Sequence, residues 1–206
     1  MSSADLRQYA PATERNRQPI LAVLQEFLPP TGNILEISSG TGEHAVFFAP
    51  RLAPRRWIPS DCNPIALDSI RAWCDYYPSP NLDRPLLIDV HQPIWPVESE
   101  NIPINAIVNI NMIHIAPWSA CLALMSGAKR ILPPGGILYL YGPYKQLGQH
   151  TAVSNESFDA SLRAQNPTWG VRNLEDVLQV ASDRGLQLVE LIPMPANNLS
   201  VVWQLS

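Results

Sequence analysis

Cysteine is scarce: Cys62, Cys74 and Cys121 stand far apart in 206 residues, and no two form a C-x-x-C pair. So sparse and odd a set excludes a disulfide framework and a thiolate zinc site, and fits reduced thiols in the cytoplasm. Long apolar runs are missing as well. The longest, around residues 104–110, is broken by Asn105 and Asn109, far short of the roughly 20 residues of a membrane-spanning helix. The opening MSSADLRQYAPATERNRQP has no apolar core of the kind a secretory signal needs. Excess positive charge is absent too: 14 Lys and Arg face 18 Asp and Glu, net −4, which argues against nucleic-acid binding through a basic face. Nor do His44, His91 and His150 share a spacing that reads as a metal site.

What is present is apolar. Hydrophobic residues make up 46% and charged ones 16%, which excludes disorder and allows one sizeable core in one domain. The 21 prolines are about twice average usage and predict short, well-punctuated elements. Ile20, Leu21, Leu24, Phe27 and Leu28 follow helical spacing up to Pro29-Pro30. Residues 33–38, 56–60, 86–88, 106–110 and 137–141 read as strands alternating with helices, hence a parallel sheet wound on both faces. Asn63, Ser119 and Asn173 are placed to cap helices, the last with Asp176 in the capping-box position. Residues 142–172 read as polar and irregular apart from a short helix near 158–164. Strands at 186–192 and 199–205 are joined too closely for a parallel crossover, so they are antiparallel.

Ligands of such sheets bind at the carboxyl ends of the strands. The first strand runs into Ser38-Ser-Gly40-Thr-Gly42, where glycines let the backbone approach a ligand and the following helix offers free N–H groups. With Ala45 in third place the spacing is also compatible with a dinucleotide turn. Glu36 at the strand end and Glu43 in the first helical turn favour a cationic ligand head over a phosphate. Asp61 and Asp89 end the second and third strands. Three acids at three successive strand ends describe a pocket for a nucleoside that carries a positive charge.

Glu36-x-Ser-x-Gly40-x-Gly42, Asp61, Asp89 and Pro133-Pro-Gly-Gly136 resemble the motifs of class I S-adenosylmethionine-dependent methyltransferases. Ser38 departs from the pattern, where most members carry glycine. The resemblance implies a Rossmann-like seven-stranded sheet, order 3-2-1-4-5-7-6, with the last strand antiparallel. Further strings, among them Pro11-Ala-x-Glu-Arg-Asn16, Asn111-Met-Ile-His114, Tyr141-Gly-Pro-Tyr144 and Asn197-Asn-Leu-Ser200, are similar to the methyltransferase-like 26 family, whose substrate is not established. Residues 1–206 are then one methyltransferase domain, with an N-terminal segment and helix at 1–32 and a lid insertion at 142–172. The cofactor implied is S-adenosylmethionine. Glu36, Ser38, Gly40 and Gly42 would meet its methionine moiety, Asp61 the ribose, and Asp89 and Val90 the adenine, while Asn109 to Met112 would line the methyl-delivery pocket.

Methyl transfer needs a nucleophile aligned behind the C–S bond, and a base only when that nucleophile is protonated. His114, just past the fourth strand, is placed for the base, or is an ordinary structural histidine. Asn111 would orient a substrate, Tyr141 and Tyr144 flank the fifth strand's end, and Arg15 and Asn16, before the first helix, would fold over the cofactor or meet an acidic substrate. The expected partner is a small molecule. An NAD(P)-linked oxidoreductase and a non-catalytic cofactor-binding module are the competing readings.

Overall fold

The computed structural model describes residues 5–206, so residues 1–4 of the N-terminal segment lie outside the described residues. Helix α1 (Pro11–Phe27) opens with proline, whose missing N–H is no loss in a first turn, and buries Ile20, Leu21, Val23 and Leu24. It starts well before the apolar spacing at residue 20, so Arg15 and Asn16 lie within it rather than ahead of it. Then follow β1 (Asn33–Ile37), α2 (Glu43–Arg51), β2 (Arg56–Asp61), α3 (Pro64–Tyr76), β3 (Leu86–Leu87), the one-turn α4 (Pro96–Ser99) and β4 (Ala106–Ile110). A 3-10 turn (Met112–His114) leads to α5 (Trp118–Ile131), β5 (Ile137–Gln146), β6 (Gln149–His150), α6 (Val153–Gln165), β7 (Arg172–Asn173), α7 (Leu174–Ser182), β8 (Leu186–Met194) and β9 (Asn198–Leu205).

The sheet order is β3-β2-β1-β4-β5-β9-β8. Strands β1 to β5 are parallel, and β9 lies antiparallel between β5 and β8. With β8 and β9 as sixth and seventh strands, this is the expected 3-2-1-4-5-7-6 order. Alternate side chains point to opposite faces. Leu35, Ile37, Ile107 and Leu138 therefore enter one core with α5 and α7, while Ile34, Trp57, Ala106 and Tyr139 enter another with α1 and α2.

Residues 142–172 are more regular than the sequence indicates. Strand β5 runs on to Gln146, β6 folds back against it, α6 packs alongside, and β7 pairs with its end. Asp159 on α6 fastens these pieces: its buried carboxylate meets Lys145 at 3.1 Å, Arg163 at 3.1 Å and His150 at 3.3 Å, and accepts the Val171 N–H at 2.7 Å. Of the expected caps, Asn63 accepts the Ile65 N–H at 2.9 Å. Ser119 instead pairs its hydroxyl with His91 at 3.0 Å, and Asn173 accepts from Gly148 at 3.1 Å, because both are drawn to partners in neighbouring loops.

Candidate functional site

The loop between β1 and α2 is held by backbone geometry. Ser38, Gly40 and Gly42 all have positive φ, at 57°, 58° and 93°. A side chain on Gly42 would reach within 2.8 Å of the Ile70 Cα, so α3 packs directly on that turn, whereas the space above Gly40 is open. The φ of Ser38 explains why glycine suits its position. The Asp61 carboxylate ties the loop to β2, accepting the Gly40 N–H at 3.0 Å and the Asn63 N–H at 2.9 Å.

Glu36 is 2% exposed and accepts the Trp57 indole N–H at 2.9 Å. Burial pushes its carboxyl up to about 7; hydrogen bonds from Trp57 and Ser39 oppose that rise and the nearby Asp61 charge adds to it. Trp57 is a fully buried core residue. That its N–H also orients Glu36 follows from both lying on one sheet face of neighbouring strands.

Glu36, Ser38, Gly40 and Asp61 line a cavity of about 560 Å3, with Cys62 and Asn63 at the β2 end and Asn111 and Met112 after β4. Its cover comes from the N-terminal segment, at Gln8 and Ala10, ahead of α1. The Gln8 N–H donates to the Ser69 hydroxyl at 2.8 Å, the Trp73 indole N–H to the Gln8 carbonyl at 2.9 Å, and the Ala10 N–H to Glu43 at 2.6 Å. Glu43 thus turns away from the cavity to fasten this strap, and also accepts the Thr41 hydroxyl at 3.0 Å. His44, on the cavity wall, pairs its Nε2 with Asn16 at 2.8 Å; burial lowers its pKa to about 3, so it is neutral and donates there.

A second cavity of about 470 Å3 adjoins the first and shares Ala12, Asn16 and Asn111 with it. Arg15, Tyr141, Pro143 and Asn198 line it, and α6 contributes Ser154, Asn155 and Phe158. Asn111 reaches both cavities because its backbone is left-handed (φ 65°) with its N–H on the Tyr141 carbonyl at 2.8 Å.

Other expected site residues stand outside both cavities. His114 is fully buried beneath Gly142, where any side chain would collide with its Nε2. Its Nδ1 accepts the Arg172 N–H at 3.3 Å, and burial pushes its pKa down to about 3. The ring is therefore neutral, with Nδ1 occupied as an acceptor, and it lines neither cavity, which counts against the general-base role. Tyr144 is buried edge-on against it, centroids 5.1 Å apart, also off both cavities. Asn109 donates to the Ile37 carbonyl at 2.9 Å and clamps β4 to β1. Asp89 accepts the His91 N–H at 3.0 Å just beyond the rim; burial first, then the Asp61 and Asp89 charges, raise the nearby Cys62 thiol. The Val90 carbonyl takes the Trp95 indole N–H at 3.4 Å. Gly42 supports the loop without facing the cavity.

Among the described residues no group of three or more His, Cys, Asp and Glu is arranged to hold a metal ion, and no helix is long and apolar enough to cross a membrane.

The fold is shared with an O-methyltransferase family protein from Burkholderia thailandensis, at 14% identity and a TM-score of 0.76 over 95% of this chain and 57% of that one. An O-methyltransferase family 2 protein from Planctomyces limnophilus, solved with apigenin, gives 17% and 0.74 over 95% and 60%. Human N-acetylserotonin methyltransferase, solved with S-adenosylmethionine, gives 12% and 0.76 over 95% and 53%. The chain thus spans little more than half the length of these proteins, and the likeness establishes a Rossmann-like methyltransferase fold. A family described as "Protein of unknown function (DUF938)" matches residues 7–205, and the chain belongs to that family.

Proposed function

We propose that this protein binds S-adenosylmethionine in the cavity over the Ser38–Gly42 loop and transfers its methyl group to a small molecule in the adjoining cavity. The observation that carries the reading is Glu36, a buried carboxylate held near neutrality and facing a loop of positive-φ residues. Such a group gains most from a cationic ligand, which restores the partner that burial removed. A dinucleotide would instead bring its pyrophosphate against Glu36. The cavity's volume lies within the range of small-ligand pockets, about 300–1,000 Å3, and the donor set fits the cofactor. Glu36 would take the ammonium, the open backbone at Gly40 would allow close approach, and the Asp61 carboxylate would accept from the ribose hydroxyls.

When bound, the cofactor supplies an electrophilic methyl on sulfur. The chain's own work is to orient and to exclude water. Asn111, common to both cavities, stands where the two ligands would meet, and Asn16, which also lines both, is fixed by His44. The strap over the first cavity and α6 beside the second act as covers. On the motifs around Glu36, Asn111 and Tyr141 we place the chain with the methyltransferase-like 26 proteins. The free thiols support a cytoplasmic setting.

Thermal unfolding with S-adenosylmethionine, S-adenosylhomocysteine, NAD and NADP in parallel tests this. A ligand at a hundred times its Kd adds about 2.7 kcal/mol, a rise of about 5–10 °C for a domain of this size. A rise with the two S-adenosyl compounds alone is expected; a rise only with nicotinamide cofactors overturns the reading. Cys62 gives an independent readout. It is the exposed thiol and lines the cavity, whereas Cys74 and Cys121 are buried, so S-adenosylhomocysteine should slow its alkylation.

A further inference from the structure

The two adjoining cavities carry opposite charge. Glu36 and Asp61 line the first. The second has one formally charged residue among its lining, Arg15, and no carboxylate. Arg15 is exposed and unlike the other arginines of the described chain. Arg17 lies over the Phe47 ring, and the rest donate to carboxylates, hydroxyls or carbonyls. Arg15 has no hydrogen bond, ion pair or aromatic ring among the described residues. Its lining companions are amides and a hydroxyl (Asn16, Asn111, Asn155, Ser154) and the apolar surfaces of Phe158 and Pro143. A guanidinium presents a planar fork of donors that matches an oxyanion through two parallel hydrogen bonds.

We propose that the second cavity takes a small acceptor bearing a carboxylate or phosphate, its oxyanion anchored by Arg15 and its apolar body lying against Phe158 and Pro143. This rests on the methyl-transfer reading of the first cavity. In a chain of net charge −4, a local cation is what draws an anion to this face. The accepting atom supplies the lone pair for the new bond to carbon, the pair of the broken C–S bond stays on sulfur, a proton carried by the accepting atom is released to solvent, and Arg15 holds the molecule without taking part in any of these changes.

The test uses the full chain saturated with S-adenosylhomocysteine and four probes of one shape: benzoate, phenyl phosphate, benzamide and benzylamine. Calorimetry should show benzoate or phenyl phosphate binding at least tenfold more tightly than the neutral and cationic probes, and the better anion names the source. Arg15→Gln, at an exposed helix position, should keep its Tm and its affinity for S-adenosylhomocysteine while weakening the anion at least tenfold. Equal binding of benzamide or benzylamine, no binding of either anion, or an unchanged anion affinity in Arg15→Gln overturns the proposal. Failure of S-adenosylhomocysteine to bind would overturn the methyl-transfer reading instead, so the two failures are told apart in one series.

Discussion

Glu36→Gln separates what the buried carboxyl costs the fold from what it gives the ligand. Its carboxyl rises from 4.5 to about 7 on folding, with burial the first cause. An acid raised in this way favours the folded state fully below pH 4.5, and that advantage is lost as pH climbs through 7. At about 1.4 kcal/mol per pKa unit, the loss between pH 5 and pH 8 comes to about 2.5 kcal/mol. Glutamine has no such dependence. Its amide N–H2 lacks the carboxylate's match to the Trp57 and Ser39 donors, an offset of about 1 kcal/mol that is constant with pH. His44 and His114 titrate in the opposite sense: both are neutral when buried, so their contribution falls as pH drops from 6.5 toward 3. Wild type and variant share that term, and it cancels in their difference. The expected outcome is a Tm gap that moves in favour of Glu36→Gln by about 5–10 °C from pH 5 to pH 8, measured by scanning fluorimetry without ligand. Stabilisation by S-adenosylhomocysteine should be lost in the variant, and in wild type it should strengthen as pH rises from 5.5 to 7. A gap that is flat or shrinks with pH refutes the reasoning.

Ser38→Gly relieves a left-handed backbone at φ 57° and should raise stability by about 0.5–1 kcal/mol, checked by urea denaturation. Glu43→Ala removes the acceptor of the Ala10 N–H, so hydrogen exchange of that amide should quicken by about tenfold or more while β1 and β4 keep their protection. Asp159→Asn leaves Lys145 and Arg163 without their counter-ion and should cost about 3 kcal/mol, seen as a Tm lower by roughly 6–12 °C and as faster proteolysis in residues 142–172. His114→Ala should lower stability by about 2–4 kcal/mol without moving any acid limb of a pH–rate profile, since the ring exchanges no proton with the cavity; loss of such a limb would return it to a base role.

The sheet and its ligand edge were legible because both are written locally. Short apolar runs end in Glu36, Asp61 and the glycine loop, and the closely spaced last two strands have to be antiparallel, while the strand order followed from the family resemblance. The rest depends on partners far apart in the chain. The strap at Gln8 and Ala10 has no periodicity and is held by Ser69, Trp73 and Glu43. The insertion at 142–172 reads as irregular because its order comes from one carboxylate, Asp159, with partners from 145 to 171. His114 and Tyr144 occur in strings next to the site, yet the 3-10 turn after β4 and the glycine at 142 rotate them inward. Spacing placed these residues near the site without fixing which way each ring points.

Asn16 is a shared wall: its side chain pairs with His44 beside the first cavity, and it lines the second as well. One amide cannot answer two ligands independently. Any ligand that turns or orders Asn16 from one side changes the hydrogen bonds available on the other, so the two binding free energies are coupled. Linkage makes that coupling reciprocal. The factor by which one ligand tightens or loosens the second is the factor by which the second acts on the first.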